Sequence, residues 1–173
     1  TGEAALPTSL APLLKLDFLT AGITALIALG IYMLTLAPTV SGEDSGELVT
    51  AAYTLGVAHP PGYPLWCLLG KLFTYIPSGT IAGRVNFMSS FFSALAVFVV
   101  CLIIIKLTKN RLAGAAGALM MAFSAEFWEQ SVIAEVYGLN SFLVILAVLL
   151  LLMWYEHRRP VTILLFALVF GLG

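Results

Sequence analysis

One polar stretch, residues 41–65, interrupts an otherwise apolar chain and carries the side chains best suited to chemistry. It holds three of the nine acidic residues, Glu43, Asp44 and Glu47, and one of the two histidines, His59. A carboxylate can accept a proton from a reacting hydroxyl group, and charged groups kept close to the hydrocarbon of a membrane usually serve a function. The stretch therefore predicts a catalytic loop.

Asp44 and Glu47 are the predicted catalytic residues, and the chemistry that suits them is transfer of a sugar from a lipid phosphate. The acceptor hydroxyl loses a proton as it attacks the anomeric carbon, and positive charge builds on the sugar ring. Carboxylates favour both changes. We predict that Asp44 is the base and that Glu47, one helical turn later, orients it or binds sugar hydroxyls. The departing phosphate requires a cation, for which Arg84 and Lys71 are the candidates.

Further residues are candidates for substrate binding, and several have a structural alternative. The predicted substrate-binding set is Glu43, His59, Tyr63, Lys71, Arg84, Asn86, Glu135 and Tyr137. Asp44 and Glu47 would alternatively cap a helix, at about 1 kcal/mol each. His59 would alternatively belong to a turn, and Arg84 would anchor the chain among lipid headgroups.

The composition is that of a polytopic membrane protein. Of the 173 residues, 61% are hydrophobic and 10% are charged, and the mean hydropathy is +1.04. A soluble domain has about a quarter of its residues charged. The net charge of −1 and the lack of a basic patch give no reason to expect nucleic acid as a partner. Cys67 and Cys101 lie in apolar surroundings and are predicted to be buried, without zinc or redox chemistry.

The apolar runs predict an all-α transmembrane helix bundle, a single module over residues 1–173. A run of about 20 apolar residues is long enough to cross a bilayer. The five predicted spans are about 17–37, 84–107, 112–125, 141–155 and 161–173. The outer loop, residues 38–83, is predicted to hold two juxtamembrane helices, at about 45–57 and 65–76. Since the last apolar run stops at Gly173, we expect the chain to be the first part of a longer protein.

The charges of the loops predict which side of the membrane each loop faces. Most basic residues fall on one side, which should be cytoplasmic: Lys15, Lys106, Lys109, Arg111, Arg158 and Arg159. Lys71 and Arg84 are the two exceptions. The opposite side collects most of the acidic residues: Glu43, Asp44, Glu47, Glu126, Glu129 and Glu135. We therefore expect carboxylates from two separate outer loops to meet over one cavity.

Three sequence elements resemble a known family. They are residues 36–65 (LAPTVSGEDSGELVTAAYTLGVAHPPGYPL), 83–90 (GRVNFMSS) and 134–140 (AEVYGLN). Together they closely resemble the membrane family once catalogued as DUF2723, which includes the TMEM260-type protein O-mannosyltransferases. That family belongs to the GT-C superfamily of polytopic glycosyltransferases. The resemblance covers about residues 30–145.

The resemblance implies a GT-C-like N-terminal module and a glycosyltransferase function. Members take a sugar from a polyprenyl- or dolichyl-phosphate donor on the outer or lumenal face, and in the TMEM260 branch the acceptor is a Ser or Thr hydroxyl of a protein. The resemblance places the family's acidic motif at Glu43-Asp44, with the acid as base, and matches His59-Pro60-Pro61 to a motif of protein O-mannosyltransferases. Some members require a divalent metal, so Mg²⁺ or Mn²⁺ is a candidate cofactor, with no ligand assigned. The expected partners are membrane lipid, the lipid-linked sugar donor and a protein or glycan acceptor.

Two other functions stay open at this point. The chain would alternatively be a non-catalytic structural subunit of a larger membrane complex, derived from the same family. A transporter with the outer acids as its cation site is disfavoured, because no charge lies in the middle of a predicted span. The expected location is the bacterial inner membrane, with the endoplasmic reticulum as the alternative and loop 38–83 on the outer or lumenal side.

Overall fold

A computed structural model describes residues 12–173, which form eight α-helices and no strand. The helices are α1 Lys15–Thr35, α2 Ser45–Thr54, α3 Pro64–Phe73, α4 Ile81–Thr108, α5 Arg111–Ala122, α6 Ala125–Ser131, α7 Tyr137–His157 and α8 Pro160–Leu172. The prediction of an all-α fold is confirmed. Residues 1–11 lie outside the described part of the chain.

Three of the described helices, α1, α4 and α7, are long and apolar enough to cross a membrane. They contain 21, 28 and 21 residues, and the mean hydropathies of their most apolar 18-residue windows are 1.9, 2.7 and 2.2. A span needs about 20 such residues. A multi-pass helical membrane protein is therefore what both the sequence and the structure indicate.

Helix α4 lies at the centre of the bundle and packs against α1, α5 and α7. In its most apolar window 61% of the residues are buried, against 22% in α1 and 28% in α7. Its first half carries four buried polar side chains: Asn86, Ser89, Ser90 and Ser93. Polar groups buried among apolar helices need hydrogen-bond partners, so this half of α4 is suited to hold other segments in place.

Helix α5 differs from the span predicted over 112–125. It has 12 residues, so it is about 18 Å long, whereas the hydrocarbon core is about 30 Å thick. Ser124 adopts an extended backbone before the separate helix α6 begins. Glycines bring α5 close to α4, since a Cβ on Gly114 would lie 2.4 Å from Ile105 and one on Gly117 would lie 2.6 Å from Ile104.

The outer loop contains two short helices, α2 and α3, close to the predicted ranges 45–57 and 65–76. They pack tightly on each other, because a Cβ on Gly70 of α3 would lie 2.8 Å from the Cβ of Ala52. The same Cβ on Gly70 would lie 3.6 Å from the terminal methyl carbon of Met88 in α4. The pair is thereby fixed to the first half of α4, and Trp66 of α3 is buried, with 3% of its surface exposed.

The chain brings two loops together at one end of the bundle. The Ala37 backbone N–H donates to the Val132 carbonyl at 3.0 Å, and the Trp128 indole N–H donates to the Thr35 hydroxyl at 3.0 Å. Residues 36–44 and 123–136 therefore meet where α1 ends and α4 begins. We call this end, which holds the carboxylates of both loops, the acidic end, and the end that holds Lys106 and Arg111 the opposite end.

Candidate functional site

The first half of α4 positions both loops of the acidic end. The Asn86 side-chain amide donates to the carbonyls of Ala37 and Thr39, at 2.7 and 3.0 Å. The Ser90 hydroxyl donates to the Ser131 carbonyl at 2.7 Å. The sequence GRVNFMSS thus binds the backbone before the first acidic loop and the backbone between α6 and α7.

Hydrogen bonds of the Glu135 backbone fix this residue in the second loop. Its N–H donates to the Ser89 hydroxyl at 3.2 Å, and its carbonyl accepts from the same hydroxyl at 3.2 Å and from the Trp66 indole N–H at 3.1 Å. Just after it, a Cβ on Gly138 would lie 2.7 Å from the Ser93 hydroxyl oxygen and 2.8 Å from the Ser89 carbonyl oxygen. Only glycine lets the start of α7 approach α4 this closely, so AEVYGLN and GRVNFMSS are shaped to fit each other.

Asp44, Glu47 and His59 form a cluster in the first loop. The His59 backbone N–H donates to Glu47 Oε1 at 2.6 Å, and the ring atom Nδ1 lies 3.3 Å from Glu47 Oε2. The other ring nitrogen, Nε2, lies 3.8 Å from Asp44 Oδ2. Tyr63 packs edge-on against the imidazole, with the ring centres 5.4 Å apart. The imidazole therefore stands between two carboxylates and is fixed on one side by Glu47.

Neither acid uses its side chain to cap α2. Asp44 immediately precedes α2, but its side chain makes no capping hydrogen bond. Glu47 lies in the first turn of α2 and binds His59, 12 residues later. Both side chains are accessible, with 61% of Asp44 and 49% of Glu47 exposed. The carboxylates are therefore available to a substrate.

Glu135 brings a buried carboxyl group next to Asp44. Only 5% of Glu135 is exposed, and its Oε1 has no hydrogen-bond partner. Burial raises the pKa of the Glu135 carboxyl, and the negative charges of Asp44 and Glu43 raise it further. Hydrogen bonds from the backbone of Val136 and Asp44 act in the opposite direction and lower this pKa, but the net change is upward. The two loops thus meet as the charge pattern led us to expect, while the roles of these residues stay predictions.

Lys71, a predicted phosphate-binding cation, binds groups of α2 and the residues after α3 in the structure. Its ammonium group donates to the Tyr53 carbonyl and lies over the rings of Tyr53 and Tyr75, at 4.7 and 5.6 Å from their centres. It forms no ion pair in the described part of the chain. The ammonium group is therefore used to hold α3 against α2.

Arg84 is likewise occupied by the backbone. Its guanidinium donates to the carbonyls of Thr74, Ser78 and Gly79, at 2.7, 2.8 and 3.0 Å. These carbonyls lie at and just after the end of α3, where helical hydrogen bonding leaves them unsatisfied. The guanidinium therefore holds the 74–84 connection together, and its role at the departing phosphate stays a prediction.

The remaining predicted residues occupy three different settings. Asn86 is fully buried and holds the first loop. Tyr63 contacts His59. Tyr137 is 54% exposed at the start of α7 and, with Tyr63 and Trp66, lines a groove of about 450 Å³ between α3, α7 and the end of α8.

Sequence reasoning missed the residues that position the site. Trp66 and Ser89 fix Glu135, and Ser90 fixes the turn before it. The available signal was the run of hydroxyl and amide side chains in the first half of an otherwise apolar span. Such groups are costly inside a membrane unless they bind something.

Comparison with known proteins identifies the family. A family model described as the N-terminal domain of protein O-mannosyl-transferase TMEM260 matches residues 44–173. The chain belongs to this family. The TMEM260 match includes Asp44, Glu47, His59 and Glu135, and it confirms the resemblance to TMEM260-type proteins found in the sequence.

Two relatives within the TMEM260 family carry the same name. The chain is 43% identical over 115 residues to protein O-mannosyl-transferase TMEM260 of Mus musculus, which covers 66% of the chain. It is 40% identical over 133 residues, 75% of the chain, to protein O-mannosyl-transferase tmem260 of Dictyostelium discoideum. In both cases the match spans 16% of the relative's own length. No solved structure matches the chain.

Proposed function

We propose that the protein containing this chain is an integral-membrane glycosyltransferase. It transfers a sugar from a polyprenyl-phosphate-linked donor to a hydroxyl acceptor, a Ser or Thr of a protein. The observation that carries the proposal is the accessible carboxylate of Asp44, beside Glu47, His59 and the buried Glu135. The names of the relatives support the reaction class and a protein acceptor.

Asp44 acts as the base in this proposal. Its carboxylate takes the proton of the acceptor hydroxyl while the hydroxyl oxygen forms a bond to the anomeric carbon. The bond from that carbon to the donor phosphate breaks, and the lipid phosphate leaves with the electron pair. Attack opposite the leaving group inverts the anomeric centre. Glu47 holds the His59 imidazole beside Asp44, so it acts as a positioning residue.

The groove between α3 and α7 suits the lipid of the donor. Most of its lining is apolar, from Pro61, Leu65, Leu139 and Leu143, with Tyr137 at one side. Tyr63 lines the same groove and also contacts His59, so the groove connects with the cluster. A polyprenyl chain lying there would bring its phosphate close to Asp44.

The acidic end faces the outer or lumenal side in this proposal. Basic residues of short loops favour the cytoplasmic side, and Lys109, Arg111, Arg158 and Arg159 lie near the opposite end. Both named relatives are eukaryotic proteins, which favours the endoplasmic reticulum. The bacterial inner membrane stays a prediction.

Replacement of Asp44 tests the proposal. The full-length protein in liposomes would be assayed for transfer from a labelled polyprenyl-phosphate sugar to a Ser/Thr-containing peptide. Loss of a general base costs about 10²- to 10⁴-fold in rate, so Asp44→Asn should lose activity on that scale. The matched control is Glu126→Gln, which removes a carboxylate charge from the same end of the bundle but outside the cluster.

An unchanged rate in Asp44→Asn would contradict Asp44 as the base. No transfer by the full-length protein with a panel of donor sugars would favour the alternative function, a non-catalytic subunit of a larger membrane complex. Uptake of a solute driven by an ion gradient would instead indicate a transporter.

A further inference from the structure

We propose that Asp44 and His59 bind a divalent metal ion, with Glu47 as the orienting partner on the other side of the imidazole. The three residues form one group, in which one atom from each lies within 4.8 Å of the other two. Two atoms bound to one ion at about 2.1 Å lie up to about 4.2 Å apart. Closure of the cluster on an ion therefore requires movements of less than about 1 Å, by side chains that are partly exposed and free to adjust.

The distance between His59 and Asp44 fits two ligands of one metal ion. His59 Nε2 and Asp44 Oδ2 are 3.8 Å apart, which is too long for a hydrogen bond but within the range for two ligands of one ion. On its other side, His59 meets Glu47 through Nδ1. A carboxylate in that position fixes the orientation of a metal-binding imidazole in many metal sites.

The buried carboxyl group of Glu135 gives independent support for the metal site. Its carboxyl is nearly fully buried next to Asp44, and Oε1 has no partner. A buried oxygen without a hydrogen bond costs free energy. An ion at the cluster, or water bound to that ion, supplies the missing partner.

The negative charges of the loop favour the binding of a cation. In the described part of the chain, the ion-pair partner of Asp44 and Glu47 is His59. Lys71 and Arg84, the basic residues nearest in sequence, donate to backbone carbonyls. An ion bound at the cluster would supply positive charge to a departing phosphate, and this role, unlike binding itself, rests on the proposed glycosyltransferase function.

The ligand set favours a first-row transition-metal ion. Imidazole suits such ions, and carboxylates suit Mn²⁺ in particular, whereas Mg²⁺ prefers oxygen ligands throughout. Binding through Asp44 Oδ2 leaves Oδ1 to accept a proton. The probe for the site is therefore Mn²⁺.

Mn²⁺ titration followed by electron paramagnetic resonance tests the inference. The full-length protein in nanodiscs would be stripped with EDTA and titrated with MnCl₂, and the free-ion signal would report binding. We expect one site per chain, weakened at least about 10-fold by Asp44→Asn and by His59→Gln. Glu126→Gln, the matched loss of charge outside the cluster, should bind like the wild type.

A second measurement needs no variant. If His59 is a ligand, pulsed spectra of the Mn²⁺-loaded wild type should show coupling to an imidazole nitrogen. Absence of that coupling, absence of a site in the wild type, or wild-type affinity in a folded His59→Gln would each overturn the inference.

The outcome is separable from that of the proposed function. Transfer that persists in EDTA, in protein that binds no Mn²⁺, would overturn the metal site and leave the glycosyltransferase standing. Mn²⁺ bound with imidazole coupling, but no transfer from any donor, would confirm the site and contradict the glycosyltransferase.

Discussion

The two ends of the bundle differ in the partners of their acidic side chains. At the opposite end, acids meet strong bases: Arg111 Nε lies 2.6 Å from Asp17 Oδ1, and Lys106 pairs with Glu156. At the acidic end, within residues 12–173, Asp44 and Glu47 meet only the weak base His59. Charges that serve stability are paired and mostly buried, whereas the acidic end keeps accessible negative charge without a matching Lys or Arg.

This difference separates structural from chemical roles. A buried ion pair fixes how helices meet, and loss of one partner leaves the other charge buried and uncompensated. Accessible carboxylates without a Lys or Arg partner add little to stability, but they can accept protons and bind cations. Variants at the opposite end should therefore change stability, and variants at the acidic end should change activity.

The largest expected effect on stability is at Lys106. Its side chain is 3% exposed and pairs with Glu156, which is 13% exposed. Lys106→Met would leave the Glu156 carboxylate buried without this partner, so it should lower the free energy of unfolding by about 3–5 kcal/mol. Denaturant unfolding in detergent micelles measures this change.

The double variant Lys106→Met/Glu156→Leu is the control, because it removes both charges and should recover most of the lost stability. Equal losses in the single and double variants would show that the pair does not carry the effect.

An intermediate effect is expected where α4 holds Glu135. Ser89→Ala removes the hydroxyl that accepts from the Glu135 N–H and donates to its carbonyl. A buried N–H left unsatisfied costs about 1–3 kcal/mol, and Glu135 should also shift, so transfer should slow. Ser93→Ala is the matched control on the same helix, because the Ser93 hydroxyl is buried without a partner. If both variants unfold alike, Ser89 does not position the second loop.

The smallest expected effect distinguishes the two roles considered for Arg84. Lysine cannot reproduce the three hydrogen bonds that the guanidinium gives to the carbonyls of Thr74, Ser78 and Gly79. Arg84→Lys should lower the free energy of unfolding by about 1 kcal/mol and leave the transfer rate per folded molecule within a few-fold of wild type. A loss of transfer without a loss of stability would instead support the phosphate-binding role.

Local patterns in the sequence predicted much of the fold. The long apolar runs indicated α1, α4 and α7, and the spacing of apolar residues in the outer loop indicated α2 and α3. The segregation of acids to one side indicated that the two loops meet at one end. These features depend on residues close together in the chain, so periodicity and charge are sufficient to find them.

The rest depends on contacts between distant residues. The sequence made Arg84 and Lys71 candidates for binding phosphate, but the backbone carbonyls that bind them become available only once α3 ends and packs on α2. The pairing of Glu135 with Ser89 joins residues 46 apart. Helix α5 is shorter than its apolar run because Ser124 adopts an extended backbone before α6. Hydropathy does not show where such a break in the helix occurs.

The same chemical change made at both ends tests the comparison most directly. Asp44→Asn and Asp17→Asn would be measured in the full-length protein for both unfolding and sugar transfer per folded molecule. We expect Asp44→Asn to keep its stability and lose transfer, and Asp17→Asn, which loses its pairing with Arg111, to lose stability and keep transfer. If Asp44→Asn transfers sugar at the wild-type rate, or if both variants lose transfer equally, the acidic end is not the site of the reaction.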